Sequence, residues 1–157
     1  MLAYSISKFS SADLADTLRL MEAYAASLEI DLAFQEIDEE LANMPGKYVP
    51  PTGALFVARN EIGEMIGCVA LRPLDNEGNC EIKRLYVDPK GRGLGVGKAL
   101  AQVIVDEAKR LGYRAIRLDT LPSMNAAKAL YKAIGFVEIE PYYETPIEDT
   151  LFLELRL

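Results

Sequence analysis

Apolar residues change their spacing along the chain, and each spacing predicts an element. Tyr4 to Phe9 alternates imperfectly, as a short strand does. Leu14, Leu18, Met21, Ala25 and Leu28 then recur at steps of three and four, the period of an amphipathic helix. Ser10-Ser11-Ala12-Asp13 ahead of them reads as a capping box with Ser10 as N-cap, Asp13 standing where Glu or Gln is usual. Ile37, Leu41 and Met44 predict a second, shorter helix that Pro45-Gly46 stops.

Past Pro50-Pro51-Thr52-Gly53 the period shortens. Ala54 to Arg59 and Met65 to Leu74 are β-rich apolar runs, joined as a hairpin by Asn60-Glu61-Ile62-Gly63-Glu64. Asp75-Asn76-Glu77-Gly78-Asn79 makes the next turn, and Cys80 to Val87 a third strand of this group. A glycine cluster follows, then a helix carrying Val96, Leu100, Val103, Ile104, Ala108 and Leu111. Lys109 and Arg110 suit the negative end of that helix, and Gly112 suits the position just past its cap. Ala115 to Asp119 predicts a buried strand and Asn125 to Ile134 a helix closed by Gly135. Phe136 to Ile139 and Leu151 to Leu157 predict the last strands. The order βααβββαβαββ describes a mixed α/β fold with a crossover at the glycine-rich turn.

Composition narrows the chemistry. The 157 residues, 50% hydrophobic and 26% charged, suit one domain spanning 1–157. No apolar run approaches the ~20 residues that cross a bilayer, so no membrane partner is expected. The first residues lack a basic flank followed by an apolar core, so no secretion signal is expected and a cytoplasmic location is. Without a single His, the chain builds neither a Ser-His-Asp nor a Cys-His nucleophile, nor an HExxH zinc site. Cys68 and Cys80 form no CxxC and no metal cage, and two buried thiols are expected rather than a disulfide. A net charge of −7 speaks against nucleic acid as a partner.

Lys90-Gly91-Arg92-Gly93-Leu94-Gly95-Val96-Gly97-Lys98 lies between a predicted strand and a predicted helix. Free backbone N–H groups and the positive end of a helix can hold phosphate oxygens there, with Lys90, Arg92 and Lys98 adding charge. A tight turn with solvated cations is the plainer alternative, yet four glycines exceed what a turn needs. A Walker A loop fails, since Arg92 takes its first glycine position and Ala99 its Ser/Thr. The dinucleotide pattern fails too, needing glycine at Val96 or at Lys98.

What remains, Arg92-x-x-Gly95-x-Gly97, resembles the [QR]-x-x-G-x-[GA] signature of the GNAT superfamily of acetyl-CoA-dependent N-acetyltransferases. Lys83-Arg84-Leu85-Tyr86-Val87-Asp88-Pro89 is similar to that family's strand into the loop. Asn125 through Phe136 is similar to its N-x-x-A-x-x-L-Y-x-x-x-G-F segment, with an alanine offset at Ala126 or Ala127 and Ala129. The resemblance extends over essentially the whole chain and is firmest over 54–139. It implies a GNAT-like domain with a mixed sheet of about seven strands flanked by about four helices.

The resemblance also implies roles. Gly93, Leu94, Gly95, Val96, Gly97 and Lys98, with Arg92, would bind the diphosphate of acetyl-CoA, the cosubstrate; Leu85, Tyr86 and Val87 would pair with its pantetheine arm. Asn125 and Lys128 match positions near the ligand, although Asn125 equally suits the N-cap of its helix. Lys128 and Lys132 equally suit a solvated helix face. Tyr131 matches the tyrosine that protonates the leaving thiolate; a packed ring with its hydroxyl in water is the alternative. No metal is implied.

Acetyl transfer also needs a neutral amine, and an alkylamine of pKa ~10.4 is neutral about once in a few thousand molecules at pH 7. A base therefore helps. Glu81, eleven residues before Arg92, stands where several family members keep a catalytic glutamate; pairing with Lys83 is its alternative role. Glu138, Glu140 and Glu144 compete, and Tyr142-Tyr143 suits either an acceptor pocket or a loop filler.

Asp13, Asp16, Glu22, Glu29, Asp31, Glu36, Asp38, Glu39 and Glu40 make the first third acidic, which suits either a mouth for a cationic amine or a solvated face. The expected activity is direct transfer of acetyl to a primary amine of a small molecule in a ternary complex. A non-catalytic acyl-CoA sensor and an acetyltransferase of protein amines are the alternatives. Many members of the family pair through sheet edges or C-terminal strands, so a homodimer is also expected.

Overall fold

The computed structural model describes residues 3–27 and 37–157. Leu28, Glu29, Asp31 and Glu36, named above, lie outside the described residues. Strand β1 (Tyr4–Lys8) leads through a 3-10 turn (Ser11–Asp13) into α1 (Leu14–Ser27), and α2 (Ile37–Ala42) precedes β2 (Ala54–Asn60). Strands β3 (Met65–Pro73) and β4 (Asn79–Val87) follow. Helix α3 (Val96–Arg110) connects to β5 (Ala115–Thr120), and α4 (Asn125–Ile134) to β6 (Val137–Ile139) and β7 (Leu151–Arg156). The element order expected from periodicity is the observed one.

Local chemistry accounts for the boundaries. The Ser10 N–H donates to Asp13 Oδ2 at 2.9 Å, so the box caps the 3-10 turn that opens α1. Gly112 and Gly135 take left-handed φ of +87° and +119°, ending α3 and α4 as C-terminal glycines do. Helix α1 buries Thr17, Leu20 and Met21, while Leu14, Leu18 and Ala25 are only half-buried. Its inner face is therefore rotated from the expected stripe, because Thr17 hides its hydroxyl against the Met65 sulfur at 3.7 Å.

The seven strands form one sheet in the order β1-β2-β3-β4-β5-β7-β6. Only β4 and β5 run parallel; the other pairs are antiparallel. Strand alternation sorts the core into two layers. Phe56, Ala58, Val69, Leu71 and Ile82 pack beneath Val96, Leu100 and Ile104 of α3, and α4 covers the same face. Leu55, Val57, Cys68 and Ala70 pack beneath Leu20 and Met21 of α1 on the other. Cys68 and Cys80 are both buried and free.

Two irregularities shape the centre of the sheet. Strands β4 and β5 pair only at Asn79↔Ala115, Cys80↔Ile116 and Glu81↔Arg117, and then diverge. Beside the split, β4 bulges: Cys68↔Tyr86 is followed by Ala70↔Lys83, one extra residue on β4. Arg84 sits in the bulge with φ +57°. Its inserted residue bends the strand and interrupts the ladder locally, and the Arg84 carbonyl accepts from the Cys68 thiol at 3.2 Å.

Candidate active site

The diverging strands leave a narrow slot of about 70 Å³. Lys83, Arg84 and Leu85 of β4 form one wall, Asp119 and Thr120 of β5 the other, and Tyr131 of α4 reaches in from below. At the far end of β4, Gly93 and Gly95 have φ of +83° and +80°, and Gly95 is the N-cap of α3. A Cβ at either glycine would meet nothing within 4 Å, so the turn is open to a ligand. Residues 92–95 are exposed while Val96 is buried, which anchors the helix and leaves the turn's amides accessible. A diphosphate on the turn with its arm along the slot suits these groups. Arg92 and Lys98 are exposed beside the turn. Lys90 is committed elsewhere: its Nζ donates to Glu64 Oε2 at 2.7 Å.

Tyr131 is 6% exposed, with its ring edge-on to Phe136 at 5.5 Å. Burial pushes its phenol above its ordinary value, so it holds its proton at neutral pH. The ring packs in the core, and the residue lines the slot. Leu85 lines the slot, Tyr86 turns its ring onto Tyr24 of α1 at 4.9 Å, and Val87 packs against Gly97. Asn125 is exposed and is the first residue of α4, whose N-cap is Met124, so Asn125 does not cap that helix. Lys128 Nζ donates to the Pro122 carbonyl at 2.7 Å, tying α4 to the loop before it, and Lys132 is exposed.

Glu81 is 1% exposed and does not pair with Lys83. Arg72 Nε and Nη2 donate to its Oε1 at 2.9 and 2.8 Å, and the Tyr142 hydroxyl donates to its Oε2 at 2.7 Å. Arg72 stands directly opposite on β3, which brings the guanidinium within reach. Tyr143 is used in parallel, donating to Asp119 Oδ2 at 2.5 Å. Glu138, Glu140 and Glu144 are exposed and do not line the slot.

A second group continues this network toward α2. Glu40 accepts from Arg84 Nε at 2.7 Å and from the Tyr48 hydroxyl at 2.7 Å. Burial alone would raise the Glu40 carboxyl, but Arg84 and Tyr48 outweigh it and hold it below the usual carboxylate range. Glu39, Glu40, Lys47, Tyr48 and Arg72 line a hollow of about 220 Å³. Among the described acidic residues of the first third, Glu39 and Glu40 line it, and Asp13 and Asp16 pair with Arg59.

Sequence reasoning passed over Arg72, Asp119 and Arg84, and gave Lys83 only a pairing role. Their signal was charge inside apolar strands: Lys83-Arg84 interrupts a buried run, and such groups stay buried only when partnered or used.

The sequence model of the Acetyltransferase (GNAT) family matches residues 17–136. The chain belongs to the GNAT family. An uncharacterised N-acetyltransferase of Schizosaccharomyces pombe is 44% identical to this GNAT chain over 145 residues, covering 92% of it and 89% of the yeast protein. The N-acetylaspartate synthetase of Danio rerio is 29% identical over 143 residues, 85% of this chain, which spans 50% of that longer protein. A GNAT acetyltransferase structure from Staphylococcus aureus superposes with a TM-score of 0.81 at 23% identity, covering 98% of this chain and 99% of that one. A Salmonella typhimurium structure with its cofactor acetyl-CoA shares the fold, with a TM-score of 0.73 at 19% identity over 98% and 94% of the two chains. As a GNAT protein the chain is an acetyl-CoA-dependent acyltransferase. Among its described residues no helix is long and apolar enough to cross a membrane.

Proposed function

We propose that this GNAT enzyme transfers acetyl directly from acetyl-CoA to a primary amine of a small molecule. The observation that carries the reading is an open glycine turn after β4 together with a slot between β4 and β5 that the buried Tyr131 lines. Acetyl-CoA supplies an activated carbonyl on a thiolate leaving group. The turn from Arg92 to Lys98 holds the diphosphate through backbone N–H groups and the start of α3. The main chain of Leu85, Tyr86 and Val87 carries the arm, and a backbone N–H at the start of that stretch is the donor for the acyl oxygen. Asn125 and Lys128 border the ligand.

The amine nitrogen forms its bond to the acyl carbon as the carbon–sulfur bond breaks. Tyr131 gives its proton to the sulfur. Glu81 takes the amine's proton through a water, because Arg72 and Tyr142 occupy its oxygens and it does not line the slot. A covalent acetyl-enzyme is not part of this reading: burial pushes the Cys68 and Cys80 thiols up to about 12, far from a reactive thiolate. A small-molecule acceptor is supported by the relative named for making N-acetylaspartate. The reading extends to a cytoplasmic location, favoured by two free buried thiols, and to a homodimer through the β6 edge, where Val137 is 61% exposed.

Following free thiol while acetyl-CoA is offered small amines and peptide amines tests the function. Thiol release with a small amine is expected. Acetyl-CoA binding without release across both sets would favour a sensor, and release with peptides alone a protein acetyltransferase.

A further inference from the structure

Lys83 and Asp119 face each other across the mouth of the slot in an unusual state. Lys83 is 8% exposed, and its side chain makes no hydrogen bond among the described residues. Asp119 Oδ1, its nearest carboxylate oxygen, is 3.9 Å away, too far for one. The other oxygen of Asp119 is taken by Tyr143. Yet no fully sealed side-chain nitrogen or oxygen among the described residues lacks a partner. Lys83 Nζ and Asp119 Oδ1 must therefore both touch the space inside the slot, which both residues line.

A buried cation without a hydrogen-bond acceptor is costly, and proteins retain one where a ligand completes it. Burial also lowers the Lys83 ammonium from its ordinary value, against the pull of Glu81 and Asp119. The neighbouring cations are matched already: Arg72 by Glu81, Arg84 by Glu40 and Arg117 by Glu154. What the slot offers a visitor is one donor and one acceptor side by side, the complement of a zwitterion.

We propose that the Lys83–Asp119 pair receives an α-amino acid as the acetyl acceptor, Lys83 binding its carboxylate and Asp119 its ammonium. This rests on the acetyl-transfer reading above and names the acceptor class for the same site. Held on Asp119, the ammonium gives one proton through water to Glu81. As the nitrogen bonds the acyl carbon and the carbon–sulfur bond breaks, the thiolate leaves with the proton of Tyr131, and the nitrogen's second proton passes through water to restore the Tyr131 phenol. The product is an N-acetyl amino acid with free coenzyme A thiol. An amine lacking a carboxylate would leave Lys83 without its acceptor, and sites built to hydrogen-bond a group discriminate strongly against its absence.

The test offers the enzyme matched sets of an α-amino acid, its decarboxylated amine and its α-amide, together with short peptides, and measures thiol release. The acids should exceed the decarboxylated amines and the amides at least tenfold in kcat/KM, mostly through KM. In Lys83→Met that ratio should fall below about threefold, and Lys83→Arg should restore part of it. Calorimetric titration with acetyl-CoA, run on every variant, reports the cosubstrate site separately. Decarboxylated amines or amides turned over as well as the acids would overturn the inference and leave acetyl transfer to a small amine standing. Turnover of peptides alone would overturn both. Absence of acetyl-CoA uptake by the folded wild-type protein would remove the underlying reading, and the inference with it. Should Lys83→Met fail to fold, the wild-type panel alone decides.

Discussion

Tyr142 lies 61 residues beyond Glu81 in the chain, yet its hydroxyl donates to Glu81 Oε2 at 2.7 Å while Arg72 grips Oε1. The ring that carries this hydroxyl packs edge-on against Phe152 at 5.1 Å, and Arg117 lies over its face at 5.8 Å. The loop between β6 and β7 is thereby tied to the start of the β4–β5 split. The carboxylate assigned as the base is held by two partners before any substrate arrives.

Removing that hydroxyl isolates its contribution, since Tyr142→Phe keeps the ring and its packing. Hydrogen bonds to charged groups contribute about 1.5–3 kcal/mol, so the variant should lose about that much stability in urea unfolding. Acetyl-CoA affinity should stay within about twofold. Unchanged stability would mean that the bond to Glu81 does not hold the loop.

Tyr131→Phe keeps the edge-on contact with Phe136 and deletes only the proton donor. General acid catalysis is typically worth about 10²–10⁴-fold, so kcat should fall within that range. Calorimetric affinity for acetyl-CoA should barely move. Full turnover at saturating substrates would take Tyr131 out of the acid role.

Gly95→Ala probes the turn. The left-handed φ of +80° costs a residue with a Cβ about 1–2 kcal/mol, although the added methyl meets nothing. Acetyl-CoA binding should weaken by roughly tenfold, the free-energy equivalent of that strain, with helix content by circular dichroism preserved. Wild-type affinity in this variant would show that the turn's conformation is not required.

The Glu40–Arg84 pair makes a prediction in pH. Glu40 titrates below its ordinary 4.5 in the folded chain, so it binds fewer protons folded than unfolded at mildly acid pH. Its stabilisation is complete above about 4.5 and disappears as pH falls through the depressed folded value. Glu40→Gln should therefore be less stable than wild type by about 2–3 kcal/mol at pH 7, with the gap closing toward pH 3. Urea unfolding at both pH values checks this; a gap independent of pH would remove the charge from the explanation.

Periodicity and local chemistry already specify the framework. A step of three or four, an alternation, a capping residue or a glycine beyond a helix is decided by neighbours in the chain, so the order of the described α-helices and strands was legible in the sequence. The glycine turn was legible for the same reason, and so was Tyr131 within its motif. The inner face of α1 was not, because Thr17 is polar by type and its hydroxyl finds its partner in Met65, far along the chain on β3.

The site's charge pairing depended on tertiary structure. Glu81 meets Arg72 because β3 and β4 register them opposite each other, and Glu40 reaches Arg84 across 44 residues. Lys83 and Asp119 face a common space only because β4 and β5 part after three pairs and β4 bulges at Arg84. An ion pair has no period, and its energy depends on distance and burial, which the folded sheet alone supplies.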